Sequence, residues 1–306
     1  MKSLIKKFIF PAIAAAALPW GAQARLNVVA TTADLGSIAE FIGGDAAKVT
    51  TLARPTEDPH FVDAKPSFSV KLNRADALVE GGAELEIGWL PPLLDMARNR
   101  KLEPGAPGCI LCNQGIQLVE IPSTLDRSKG DIHAAGNPHF LTDPENARIV
   151  AEHIAAAFSQ LDPKSASTFQ SNLKRFTGEL DAKMDQWQKL LGPFRGKEVV
   201  AYHDSWPYFA ARFGLKIDLF LEPKPGIPPT PTHLADVILK MKEDKTHVII
   251  VEPYQNRRTA ETVARNTGAT VVDVTQFPGG VNGTEGGYIE MMDHNINAIA
   301  KALSQP

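Results

Sequence analysis

The chain has 306 residues, of which 43% are hydrophobic and 22% charged, with a formal net charge of −3. This is ordinary globular composition for one large or two moderate domains, and it excludes a disordered, collagen-like or repeat protein. The mild acidity, with no basic patch interleaved with aromatics, excludes a nucleic-acid partner.

The first segment reads as an address. Lys2, Lys6 and Lys7 precede an apolar run from Phe8 to Leu18, and Ala22-Gln23-Ala24 is a small-x-small cleavage pattern. Residues 1–24 are expected to be a secretory signal peptide. The apolar run falls short of the ~20 residues that a membrane span needs. No cysteine stands at the cleavage point, so a lipid anchor is not expected. Cleavage removes three lysines and no acid, moving the charge from −3 to −6. The mature chain is expected to be soluble in the periplasm.

From Leu26 onward short apolar runs alternate with helical patterns. Leu26–Thr32 is a strand candidate, followed by a helix over 34–42, strands at 48–52 and 77–80, and another at 116–121. A helix is expected over Pro144–Leu161, with Asp143 as N-cap and Pro144 at its first position. Strand–helix alternation of this kind predicts parallel sheets with crossover helices. After Pro163 the alternation stops. Phe169, Leu173, Phe176, Leu180, Met184, Trp187 and Leu191 recur at spacings of three or four, the stripe of one long helix. About 28 residues at 1.5 Å each make it roughly 40 Å long, ending at Gly192-Pro193. Strands are then expected at 198–202, 217–221, 247–251 and 270–274, with a last helix over 288–303.

The predicted architecture is therefore α/β: two lobes with parallel sheets flanked by helices, joined by one long α-helix. The expected boundaries are 25–162 for the first lobe, 163–192 for the helix and 193–306 for the second lobe. Two lobes leave a cleft, a preferred place for a ligand. A rigid helical connection implies little hinge motion. Glu222–Thr232 holds five prolines and is expected to form a stiff wall beside the cleft. Cys109 and Cys112 are the chain's two cysteines. In an oxidising compartment, with no second pair to complete a zinc cage, they are expected to form a small local disulfide.

Eight histidines are present, and three share a context. His60 lies in Asp58-Pro-His60, His139 in Asn137-Pro-His139 and His203 in Tyr202-His-Asp204. Each follows a turn or a strand end, where ligands of parallel α/β sheets gather. Imidazoles from both lobes suit zinc, copper, nickel or iron, whereas carboxylate-rich sites suit manganese, magnesium or calcium. His133, six residues before His139, is expected in an exposed loop, where it could pick up metal and pass it inward. His153, His233, His247 and His294 read as structural.

The order of Asp58-Pro-His60, Asn137-Pro-His-Phe-Leu-Thr-Asp-Pro144, the long central helix, Tyr202-His-Asp204, Val251-Glu-Pro253 and Tyr288-Ile-Glu-Met-Met-Asp-His-Asn295 resembles the metal-specific solute-binding proteins of ABC importers. The resemblance covers essentially the whole mature chain. It implies one metal ion in the cleft, carried as cargo to an inner-membrane permease by a protein that is not an enzyme and is expected to be a monomer. It places ligands at His60 and His139, and at His203, where zinc members usually carry His and manganese members Glu. The fourth family position, usually Asp, falls on Gln276, a departure that leaves open Gln276, water or Asp273 as fourth ligand. Three neutral imidazoles favour zinc over manganese. A long His- and acid-rich loop of many zinc members is missing; Asp126, Asp131 and His133 alone are of that kind. Glu57, Asp58, Asp204 and Glu252 are candidate partners behind the ligands, although Asp204 also reads as a helix cap. A binding protein for a chelated metal, a metallochaperone or a zinc hydrolase are the alternatives. The hydrolase lacks a His-Glu-x-x-His helix, a nucleophile elbow or a phosphate loop.

Overall fold

The computed structural model describes residues 25–124, 130 and 132–305. The expected signal peptide, Asp126 and Asp131 lie outside the described residues. Two parallel four-stranded sheets form the frame. The first contains β1 (Leu26–Ala30), β2 (Ala47–Thr51), β3 (Ala77–Glu80) and β4 (Cys109–Leu111) in the order β2-β1-β3-β4. The second contains β5 (Glu198–Ala201), β6 (Lys216–Phe220), β7 (Val248–Val251) and β8 (Thr270–Asp273) in the matching order β6-β5-β7-β8.

The inner strands are largely apolar on both faces because helices cover both faces of each sheet. In β1, Val28 and Ala30 face the central core while Val29 faces the outer layer formed with α2 (Pro66–Arg74) and α3 (Leu90–Ala97). In β7, Val248 and Ile250 point inward, and Ile249 and Val251 pack under α7 (Pro231–Asp244) and α8 (Arg257–Thr267). This is the period of two that side chains on a strand impose.

Between the sheets run α1 (Ala33–Gly43), α4 (Pro144–Leu161), α6 (Pro207–Phe213), α9 (Tyr288–Leu303) and the long α5 (Ala166–Leu191). The 26 residues of α5 span about 39 Å at 1.5 Å per residue. Its stripe of Phe169, Phe176, Leu180, Met184, Trp187 and Leu191 is buried against α1, α4 and α9. One continuous apolar core therefore runs from the first sheet through α5 into the second. Polar contacts tie the lobes as well. Tyr208 Oη donates to the Asn137 carbonyl at 2.6 Å and accepts from Val119 N–H at 3.1 Å, and Arg212 grips Asp143 through two bonds of 2.7 and 2.8 Å. Separating the lobes would break these contacts and open the core, the physical ground for limited hinge motion.

Two expectations fail near the end of the first sheet. Residues 116–121 form no strand; the edge strand is β4, paired with β3 through Leu78–Cys109 and Glu80–Leu111. The backbone of 116–121 is engaged elsewhere, with Val119 bonded to Tyr208 across the lobe boundary and to Asn137 N–H. Cys109 and Cys112 are free thiols. Cys109 opens β4, where residues advance about 3.3 Å each and neighbours alternate between faces. Positions three apart then exceed the ~7 Å Cα limit for a bridge and point to opposite sides.

Candidate metal centre

The carboxyl ends of both sheets converge on one site. His60 sits on the loop between β2 and α2. His139 stands at the start of a short 3₁₀ turn, Phe140–Thr142, that leads into α4. His203, Glu222, Glu252 and Gln276 follow β5, β6, β7 and β8 within one to three residues.

The repeated Asx-Pro-His sequence builds the same local turn twice. Asp58 Oδ1 accepts from His60 N–H at 3.0 Å, and Asn137 Oδ1 accepts from His139 N–H at 3.0 Å. A short polar side chain bonding two residues ahead over a proline fixes where the imidazole emerges. Trp89 Nε1 pins the first turn through the Pro59 carbonyl at 2.9 Å. At His203 the turn closes as Ser205 N–H donates to the His203 carbonyl at 2.9 Å.

His60, His139 and His203 each offer a nitrogen, and these three atoms all lie within 4.8 Å of one another. Their ring centroids are 5.1, 5.6 and 5.5 Å apart. The Nδ1 atom of every ring faces away from the centre. His60 Nδ1 meets Asp58 Oδ1 at 2.9 Å, His203 Nδ1 meets Glu222 Oε2 at 2.8 Å, and His139 Nδ1 meets Gln276 Oε1 at 2.9 Å. His139 is 5% exposed and its Nε2 is buried without a hydrogen-bond partner. An orphaned imidazole nitrogen in such a place is expensive unless a cation or donor meets it.

The charges differ from ring to ring. Burial, followed by the charges of His60, His203 and His133, holds the His139 pKa well below the ordinary imidazole value. Burial also opposes protonation of His203, but the hydrogen bond and charge of Glu222, with Glu252 and Asp58, outweigh it and raise the pKa. For Asp58, burial is outweighed by the hydrogen bond and charge of His60, so its pKa is lowered. Burial pushes Glu252 up to about 7 despite the nearby His203 charge and bonds from Trp206 and Gln276.

The structure thus brings His60, His139 and His203 together. Gln276 reaches the cluster through His139. Its carbonyl oxygen meets the Nδ1 edge of His139, away from Nε2, and its amide is engaged behind it. Asp273 is turned away and bonded to Arg257 on the surface. The loop after β8 buries Gln276 and leaves Asp273 exposed at the strand end. His133 stacks against His60 with centroids 5.2 Å apart, outside the three-nitrogen cluster, and is half-buried where an exposed loop position was expected. Burial pushes its pKa down to about 4.

Among the candidates behind the ligands, Asp58 holds His60, and Glu252 reaches His139 through Gln276. Glu57 instead pairs with Arg54. Asp204 neither contacts the His203 ring nor caps α6. Glu222 was missed as a partner. Its signal was an acid two residues past a strand, at the head of the proline-rich segment, where Gly226 N–H also holds it at 3.2 Å. That segment lines the cleft through Pro225, Gly226 and Pro228.

The family model described as "ZnuA: Zinc-uptake complex component A periplasmic" matches residues 28–302. The manganese ABC transporter substrate-binding lipoprotein PsaA of Streptococcus pneumoniae serotype 4 is 25% identical over 290 residues, 92% of this chain and 90% of that protein. The iron ABC transporter substrate-binding lipoprotein MtsA of Streptococcus pyogenes serotype M1 is 25% identical over 291 residues, with the same coverages. A crystal structure of ZnuA shares the fold with a TM-score of 0.79 at 24% identity, covering 92% of this chain and all of that one. No described helix is long and apolar enough to cross a membrane. Members of this family bind a metal ion and work with a membrane permease; they are binding proteins and not enzymes. The chain belongs to the ZnuA family and is a metal-binding substrate-binding protein of an ABC importer.

Proposed function

We propose that this protein binds one zinc ion as cargo through the Nε2 atoms of His60, His139 and His203 and delivers it to an inner-membrane permease. The observation that carries the reading is the cluster itself: three nitrogens within 4.8 Å of one another, each on a ring whose other nitrogen is held from behind. A neutral imidazole whose Nδ1–H is engaged by a carboxylate or carbonyl presents a more basic Nε2 in a fixed direction. Three such donors suit tetrahedral zinc, while manganese prefers an oxygen-rich octahedral shell. The two carboxylates behind the rings, Asp58 and Glu222, supply negative charge near the cation without contacting it.

Capture then needs no chemical step. The ion sheds water as the three imidazoles replace it, and any proton on an Nε2 atom leaves. His133, stacked on His60 at the cleft, is in place to meet an incoming ion. We further propose that the mature protein starts at Arg25, is a soluble periplasmic monomer, and divides into lobes 25–162 and 193–306 around the helical segment 163–192.

Competitive titration of the metal-free protein with a chelating indicator tests the reading. His60→Ala, His139→Ala and His203→Ala should each weaken zinc binding by more than the ~10–100-fold that loss of a partner behind a ligand produces. Zinc affinity unchanged in two of the three would refute the ligand set.

A further inference from the structure

We propose that Gln276 is a positioning residue of the metal site: it holds His139 in the tautomer that turns a bare Nε2 toward the cation, and is not itself a ligand. This rests on the three-imidazole reading above. The orientation of the Gln276 amide is dictated from behind. Its Nε2 donates to Glu252 Oε1 at 3.1 Å and to Tyr254 Oη at 3.1 Å. Turning the amide over would set its carbonyl against the Glu252 carboxyl oxygen and leave that oxygen without the bond. With the amide so fixed, only the carbonyl oxygen faces His139 Nδ1, at 2.9 Å. A carbonyl cannot donate, so Nδ1 must carry the proton and Nε2 the lone pair.

The arrangement is rigid. Gln276 is 6% exposed and Glu252 1%, and Glu252 Oε1 also accepts from Trp206 Nε1 at 3.0 Å. Trp206 is fully buried in the core that joins the lobes. His60 and His203 are held by carboxylates, which accept from an imidazole in any orientation. His139 alone depends on an amide, which must be turned the right way, and Glu252 with Tyr254 turns it.

The test has two arms. Long-range proton–nitrogen NMR of the metal-free wild type, with His139 assigned, should show Nδ1 protonated and Nε2 bare; the opposite tautomer overturns the proposal without any variant. The second arm compares wild type with Gln276→Leu. Gln276→Leu keeps bulk but removes the acceptor, and should weaken zinc binding about 10–100-fold. The visible spectrum of its cobalt(II) form should keep the wild-type shape and intensity, because no ligand has been lost. A changed cobalt spectrum in Gln276→Leu would make Gln276 a ligand, and unchanged zinc affinity would make it mere packing; either overturns the proposal. If wild type binds no zinc, the ligand reading fails, while the tautomer result still stands or falls by NMR.

Discussion

Zinc affinity should depend on pH in a way that His203 and Glu222 set. His203 has a raised pKa, because Glu222, Glu252 and Asp58 outweigh burial, whereas His139 has a lowered one and stays neutral. The sign follows from the proton balance. Protonated His203 stabilises the metal-free fold below the ordinary imidazole value, and that contribution is lost as pH rises through the raised folded-state pKa. Metal binding runs the other way, because it needs the bare Nε2. Below the His203 pKa each pH unit costs about 1.4 kcal/mol, or tenfold in affinity, for the one proton displaced. From pH 7.5 to pH 5.5 the loss from His203 should be on the order of 10–100-fold, a window bracketing the free imidazole pKa. Glu222→Gln removes the hydrogen-bonded charge that supports the imidazolium, so the pH dependence should weaken and its onset move to lower pH. Competition against a chelating dye of known protonation, at fixed ionic strength, reads both proteins. A flat wild-type profile, or a steeper one in Glu222→Gln, would refute the reasoning.

Tyr208→Phe removes a hydroxyl bonded to both Asn137 and Val119 across the lobe boundary. It leaves two backbone groups unpaired, so stability should fall by about 2–4 kcal/mol. Calorimetry should read this as a drop in Tm of roughly 3–7 °C for a chain of this size, and an unchanged Tm would contradict the assigned contacts. Asp34 is buried and its pKa is pushed up to about 6 by burial, against bonds from Thr32 and Leu35. A carboxyl kept neutral in the fold disfavours folding as pH rises from about 4 to about 6, because the unfolded chain releases the proton first. Asp34→Asn should therefore gain up to about 3 kcal/mol on wild type across that window. Denaturant titrations at pH 4 and pH 7 would show it, and a constant difference would rule it out.

Much of this was legible in the chain. β1, β3, β5, β7 and β8 follow from short β-branched runs, and α5 from a long stripe at helical spacing. His60 and His139 stood out through matched turns, because an Asx residue two positions before His is a local feature, and His203 through its place just past a strand. The rest depended on contacts remote in sequence. Glu222 lies 19 residues from His203 and meets it only because β6 pairs with β5. Gln276 lies 137 residues from His139, and which edge of the ring it meets follows from packing around Glu252 and Tyr254, not from its spacing to Tyr288. β4 was not legible because a three-residue edge strand has too little pattern to register.

The central claim is that three imidazoles hold one zinc ion between the lobes. X-ray absorption at the zinc edge, on protein whose loading is fixed by native mass spectrometry, tests it most directly. The account predicts one zinc per chain with three imidazole nitrogens at about 2.0–2.1 Å, retained in the presence of manganese. A shell dominated by oxygen, or replacement of the zinc by equimolar manganese, would contradict it.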